Sequence, residues 1–356
     1  MEPQKVIISH CLEQTLTEAI GLCSYDKLFV LCDDITEKVC LPVVSGFGCM
    51  KDALPIVIAH SDSSKTIESV MHVWSQLQTL GATRHSLMVN IGGGMVTDLG
   101  GFAASTFKRG ISFINIPTTL LAMIDASVGG KTGFNFGGLK NEIGVFSNAD
   151  SVILDTVFLK TLDHQNLLSG YAEMLKHGLI SNEKMWAELI NTGVEDISLQ
   201  MIADSVAVKQ RIVTEDPLEH GLRKALNLGH TVGHAFEAMS LERTQHPSPN
   251  TQHPAPILHG YAVAWGLVCE LYLSAIKTGF PTDKMHQTVA FVKERYGKMA
   301  ITCNDYPTLL QLMTHDKKNT AGTINFTLLG GIGNIIINQN CTDEEICEAL
   351  DFYREC

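Results

Sequence analysis

His230 and His234 stand four residues apart in GHTVGH, with Asn227 and Arg223 one and two turns upstream. On a helix this spacing puts all four side chains on one face. Two imidazoles backed by an amide and a guanidinium suit a site better than a structural role. A third imidazole, His259, opens HGYAVA, and a carboxylate, Glu173, lies in YAEMLKHG with Lys176 three residues on. By itself the Glu173–Lys176 pair reads as an ordinary ion pair on a helix face. Three imidazole or carboxylate ligands with one open position let zinc work as a Lewis acid. The spacing leaves open which of His230, His234, His259 and Glu173 would be the ligands. HExxH is absent, so the metalloprotease template lacks its general base.

A second chemistry is phosphate binding. Gly92, Gly93 and Gly94, followed by Met95, Val96, Thr97 and Asp98, close the apolar run 87–91 and open a helical stretch. Such a turn lets the backbone approach a pyrophosphate and aims N–H groups at it. Thr97 replaces the third glycine of GxGxxG, so the signal is partial. GGKTG at 129–133 lacks the preceding glycine of a P-loop, which argues against an ATPase.

The elements that must carry these residues change in character along the chain. Runs at 27–31, 55–59, 87–91 and 111–116 read as buried strands, and 66–80 as an amphipathic helix ended by Gly81. Strand alternating with helix predicts an open, mainly parallel sheet of nucleotide-fold character. From about residue 167 the pattern turns helical, with helices expected at 167–180, 185–190, 200–215, 223–239, 260–277, 282–296 and 308–316. A hairpin is expected at 323–329 and 333–338, and the proline-rich insert 240–257 reads as a surface loop that leaves His246 and His253 in solvent.

The 356 residues carry 26 Lys and Arg against 38 Asp and Glu, a net charge of −12. That field repels nucleic acid and anionic membrane surfaces, so an anionic substrate must be met by a local basic pocket. No run approaches the ~18 apolar residues of a membrane span. Ten cysteines without a CxxC pair read as free thiols in a reducing cytoplasm.

Together, GGGMVTD (92–98), STFKRG (105–110), PTTLLAMID (117–125), GGKTG, LKN (139–141), YAEMLKHG (171–178), GLRKALNLGHTVGHAFEA (221–238) and HGYAVA (259–264) resemble the 3-dehydroquinate synthases, sugar phosphate cyclases, from about residue 27 to 329. The resemblance implies an α/β fold, with an N-terminal Rossmann-like open-sheet domain (1–162) that binds NAD. A mostly α-helical domain (163–356) would bind metal and substrate, the active site lying in the cleft between the two. It assigns Zn2+, or Co2+, to Glu173, His230 and His259, and His234 to the substrate side. NAD falls to Asp33, Asp62, Lys65, Gly93, Gly94, Met95, Asp98, Thr118, Thr119, Leu121, Lys131, Lys140, Phe158, Thr161 and Leu162. Substrate and catalysis fall to Asp125, Lys131, Lys140, Asn141, Lys176, Lys209, Glu219, Arg223, Asn227 and His234, with one of Lys317 and Lys318. Arg109 matches an arginine that reaches across a homodimer interface. Three positions depart from the family pattern: Ile35 where a polar residue is common, Asp62 for Glu, and Tyr261 for Glu; the 240–257 insert is also longer than usual.

The implied activity is that of a cytoplasmic lyase of the shikimate pathway. It converts 3-deoxy-D-arabino-heptulosonate 7-phosphate to 3-dehydroquinate and phosphate. In this reading Lys131, Asn141 and Arg109 hold the phosphate, Lys209 and Arg223 the carboxylate, and Lys176 and His234 handle protons. The competing readings are another sugar phosphate cyclase, making an inosose or a valiolone, and a metal-dependent polyol or glycerol phosphate dehydrogenase. A binding protein without activity is disfavoured by the intact ligand and lysine sets.

Overall fold

The computed structural model describes residues 4–137, 139–245, 256–314 and 324–356. Lys317, Lys318, His246, His253 and the centre of the 240–257 insert lie outside them, as do the last residues of the helix expected at 308–316 and the first of the hairpin expected at 323–329. The chain divides into two compact units, Met1–Asp163 with Ser198–Gln210, and His164–Ile197 with Arg211–Cys356.

The first unit contains β1 (Val6–Ile8), α1 (Leu12–Gly21), β2 (Leu28–Asp33), two short helices α2 (Thr36–Val39) and α3 (Leu41–Ser45), β3 (Leu54–Ile58), α4 (Ile67–Thr79), β4 (Leu87–Gly92), α5 (Gly94–Thr106), β5 (Ser112–Pro117), β6 (Lys131–Phe136), β7 (Leu139–Phe146) and β8 (Ser151–Leu154). Six strands form one sheet in the order β1-β8-β5-β4-β2-β3, with every pairing parallel. Every residue of β2, β4 and β8 is buried, as a parallel sheet covered on both faces requires. The helix expected at 66–80 is α4, capped by Thr66 and burying Val70, Val73 and Leu77. The chain runs outward from β2 to β3, then returns past β2 to β4. The reversal makes a switch point at the carboxyl ends of β2 and β4, where Asp33 and the three glycines stand; open α/β sheets bind ligands at such a point.

The second unit contains α6 (His164–Ser181), α7 (Glu183–Asn191), the last residues of α8 (Leu199–Glu215, which belongs to the first unit as far as Gln210), α9 (His230–Gln245), α10 (His259–Thr278), α11 (Thr282–Tyr296), α12 (Tyr306–Thr314), an antiparallel pair β9 (Asn325–Gly331) and β10 (Asn334–Asn340), and α13 (Asp343–Glu355). Close approach by α10 depends on two glycines. A Cβ on Gly260 would meet Ser169 O at 1.9 Å, and one on Gly266 would meet Gly229 O at 2.0 Å. Among the described residues no helix is long and apolar enough to cross a membrane. All ten cysteines are free thiols.

Candidate active site

Glu173 lies midway along α6, while His230 and His259 are the first residues of α9 and α10. One donor atom from each lies within 4.8 Å of the others. Glu173 Oε1 is 3.3 Å from His230 Nε2 and 3.4 Å from His259 Nε2. The opposite ring nitrogens face acceptors: His230 Nδ1 is 3.1 Å from Leu228 O, and His259 Nδ1 is 3.4 Å from Glu237 Oε2. A carbonyl or carboxylate oxygen can only accept, so each Nδ1 carries its proton. With a metal bound, each Nε2 would instead give its lone pair to the ion, the tautomer a metal needs.

Electrostatics point the same way. Burial disfavours the Glu173 carboxylate, yet the adjoining Lys176 ammonium and His230 hold its pKa well below the usual range. Burial also opposes the His259 cation, but Glu173 and Glu237 outweigh it and raise the ring pKa to about 10. The pocket therefore draws positive charge to the point where the two imidazoles and the carboxylate meet. Two imidazole nitrogens and one carboxylate oxygen are a donor set that fits Zn2+ or Co2+.

His234 adjoins this cluster, its ring centroid 5.2 Å from that of His230 and 6.0 Å from that of His259. The helix expected at 223–239 is not continuous. Arg223 and Asn227 sit in a 3₁₀ turn, Leu222–Asn227, and Gly229 at φ 79° breaks the chain before α9 begins at His230. They therefore do not extend the α9 face. Instead they belong to a loop gathered on Asp216, whose carboxylate accepts from the N–H groups of His220 (2.9 Å), Gly221 (2.7 Å) and Arg223 (3.0 Å). The buried Arg223 donates through NH1 to Pro217 O at 2.7 Å. Asn227 donates to Glu219, itself held at φ 63°, at 3.4 Å.

In the first unit, most residues matched to NAD stand at the carboxyl ends of the parallel strands: Asp33 at the end of β2, Asp62 and Lys65 after β3, Gly93 to Asp98 after β4, Thr118 to Leu121 after β5, and Phe158 to Leu162 after β8; Lys131 and Lys140 lie on β6 and β7. Gly93 is the N-cap of α5, with no side-chain cap, so its first N–H groups face outward from the strand end. Lys65 donates to Asp98 at 2.6 Å and to Asn141 Oδ1. Burial raises the Asp98 carboxyl in spite of Lys65. The β6–β7 hairpin brings Lys140 to Asp62 at 3.1 Å. GGKTG leads into strand β6 rather than a helix, so it is no P-loop. Asp125 lies on a π-helical turn, Ala122–Ala126, and accepts from Lys209 at its carbonyl (2.6 Å) and at Oδ1 (2.5 Å). Arg109 is exposed at φ 72°, beside Lys108 at φ 51°.

Residues 55–169 match the family model described as 3-dehydroquinate synthase N-terminal, and residues 170–319 match the one described as 3-dehydroquinate synthase C-terminal. The chain belongs to the 3-dehydroquinate synthase family. The 3-dehydroquinate synthase of Parabacteroides distasonis is 50% identical over 359 residues, covering 100% of this chain and 99% of the relative. Two solved structures share the fold. One is 2-epi-5-epi-valiolone synthase from Streptomyces hygroscopicus with NAD+ and Zn2+ bound (TM-score 0.81, 24% identity, 100% of this chain and 98% of that one). The other is 2-deoxy-scyllo-inosose synthase complexed with carbaglucose-6-phosphate, NAD+ and Co2+ (TM-score 0.80, 21% identity, 98% and 96%).

Three further carboxylates of this 3-dehydroquinate synthase family member support the site from outside the residues that the motifs single out. Asp216 organises the Arg223 loop. Glu237, seven residues after His230, faces His259. Glu270, fully buried on α10, accepts from the N–H groups of Gly229 (2.6 Å), Thr231 (3.0 Å) and Val232 (3.2 Å), on both sides of His230. Glu237 shares the His230 and His234 face at helical spacing, a usable signal; Glu270 has none in sequence.

Proposed function

We propose that this chain converts 3-deoxy-D-arabino-heptulosonate 7-phosphate to 3-dehydroquinate and phosphate by transient oxidation, phosphate elimination, reduction and intramolecular aldol closure. This is a carbon–oxygen lyase step of the shikimate pathway, and so of aromatic amino acid biosynthesis. The observation that carries the reading is the convergence of Glu173 Oε1 with the Nε2 atoms of His230 and His259, in a chain that matches both halves of the family.

Glu173, His230 and His259 would hold Zn2+ or Co2+, and the carboxyl edge of the parallel sheet would hold NAD. When bound, the metal would supply Lewis-acid polarisation of a substrate hydroxyl, and NAD would supply a reversible hydride acceptor. Lys176 Nζ and the His234 ring hold and move protons beside that hydroxyl. Arg223, with its guanidinium anchored by Pro217 O, offers a fixed fork to the substrate carboxylate. Lys209 assists it, its ammonium steadied by two contacts to Asp125. Lys131 and Asn141 take the phosphate. Because Lys65 engages Asn141 Oδ1, the group Asn141 offers is its NH2 donor. Arg109 completes the phosphate site of a neighbouring subunit in a homodimer. The setting is the cytoplasm, consistent with ten free thiols.

The test is phosphate release from the heptulosonate phosphate with substoichiometric NAD. The expected result is many phosphates per NAD, stopped by chelation and restored by Zn2+ or Co2+. NADH accumulating in step with product would mark a dehydrogenase and overturn the reading.

A further inference from the structure

Resting on the metal reading above, we infer that Glu237 is a positioning residue for the metal centre, acting through His259 rather than as a ligand. Its carboxylate Oε2 faces His259 Nδ1 at 3.4 Å, while the Nε2 of the same ring faces Glu173. The ring is thus held between two carboxylates, and Glu237 fixes its tautomer and rotation. In the corresponding place, His230 Nδ1 faces the carbonyl of Leu228.

Charge balance gives Glu237 a second task. The buried Lys176 ammonium lies against Glu173 Oε2, so the positive charge beside the ligand carboxylate offsets its negative one. A divalent cation placed there meets two neutral imidazoles and a carboxylate already paired with a lysine. Glu237 returns a negative charge to the centre one residue removed from the ion. It does so from a side chain that is 13% exposed, on the α9 face one turn beyond His234.

The donor atoms of His234, Glu237 and His259 also lie within 4.8 Å of one another. Glu237 as a direct ligand is therefore the alternative that the test must separate.

The experiment measures Co2+ affinity by chelator competition, with the visible Co2+ absorption spectrum, on the full chain and on Glu237→Ala, Glu237→Gln and Glu173→Ala. Loss of a partner to a ligand histidine weakens metal binding by about 10–100-fold. Glu237→Ala should fall in that range with an altered spectrum. Glu237→Gln, whose amide oxygen still accepts from Nδ1, should fall between it and the parent. Parent affinity and spectrum in Glu237→Ala would overturn the inference. So would loss of binding in Glu237→Gln as complete as in Glu173→Ala, since Glu237 would then be a ligand. Failure of the underlying reading looks different: Glu173→Ala would bind Co2+ as the parent does.

Discussion

Glu270→Gln should destabilise the second unit even with no metal present. Glu270 Oε1 accepts from Thr231 and Val232, and Oε2 accepts from Gly229. Glutamine keeps one of the two oxygens and turns an NH2 group toward at least one of these N–H donors. A buried donor left without an acceptor costs about 1–3 kcal/mol. Removing the negative charge from the α9 N-terminus costs up to about 2 kcal/mol more in a buried setting. Together these give about 3 kcal/mol, which for a unit of this size is a fall in Tm of roughly 6–12 °C. The assay is a thermal melt of metal-free protein followed by tryptophan fluorescence. Trp186 and Trp265 report on the second unit, Trp74 on the first. The same residues flank His230, so the variant should also bind Co2+ more weakly. A second-unit transition within about 2 °C of the parent would show that the three N–H groups do not depend on the carboxylate.

Glu173→Ala should abolish Zn2+ binding and phosphate release together; an active, metal-free variant would remove Glu173 from the ligand set. Arg223→Ala should raise KM for the heptulosonate phosphate by about 10–100-fold, the worth of a hydrogen-bonded ion pair of ~1.5–3 kcal/mol. Unchanged affinity for a carboxylate-bearing analogue would contradict that role. Burial alone would raise the Asp216 carboxyl, but the N–H groups of Gly221, Arg223 and His220 hold its pKa below the ordinary value. Its folded-state pKa is thus the lower one. The stability it contributes is complete above about pH 4 and is lost as pH falls through the folded value. Asp216→Asn should show a shallower acid limb in a stability–pH profile, and coincident limbs would refute the assignment.

The buried strands β2, β4 and β5 could be read directly, because a parallel sheet covered on both faces demands unbroken apolar runs. β1 and β8, three and four residues long, carried too little pattern to stand out. The β6–β7 hairpin was hidden for another reason: Phe136, Leu139, Val145 and Phe146 are exposed, so its alternation does not follow burial. The break before α9 was hidden by helix-forming residues on both sides of Gly229, although that glycine at φ 79° is what starts the helix at His230. In the site, residue types capable of metal chemistry were visible, since i,i+4 imidazoles are a local pattern. The choice among them was not local, because Glu173 and His259 come from α6 and α10. The supporting carboxylates were the least legible. Glu270 looks like any acidic residue in an apolar helix until the N–H groups of another helix are seen to surround it. A ligand is recognisable by its own chemistry, whereas the role of a residue that positions a ligand is defined by its partner. Glu237 can be reached from the helical spacing it shares with His230 and His234, but Glu270 emerges only when α9 and α10 are seen packed together.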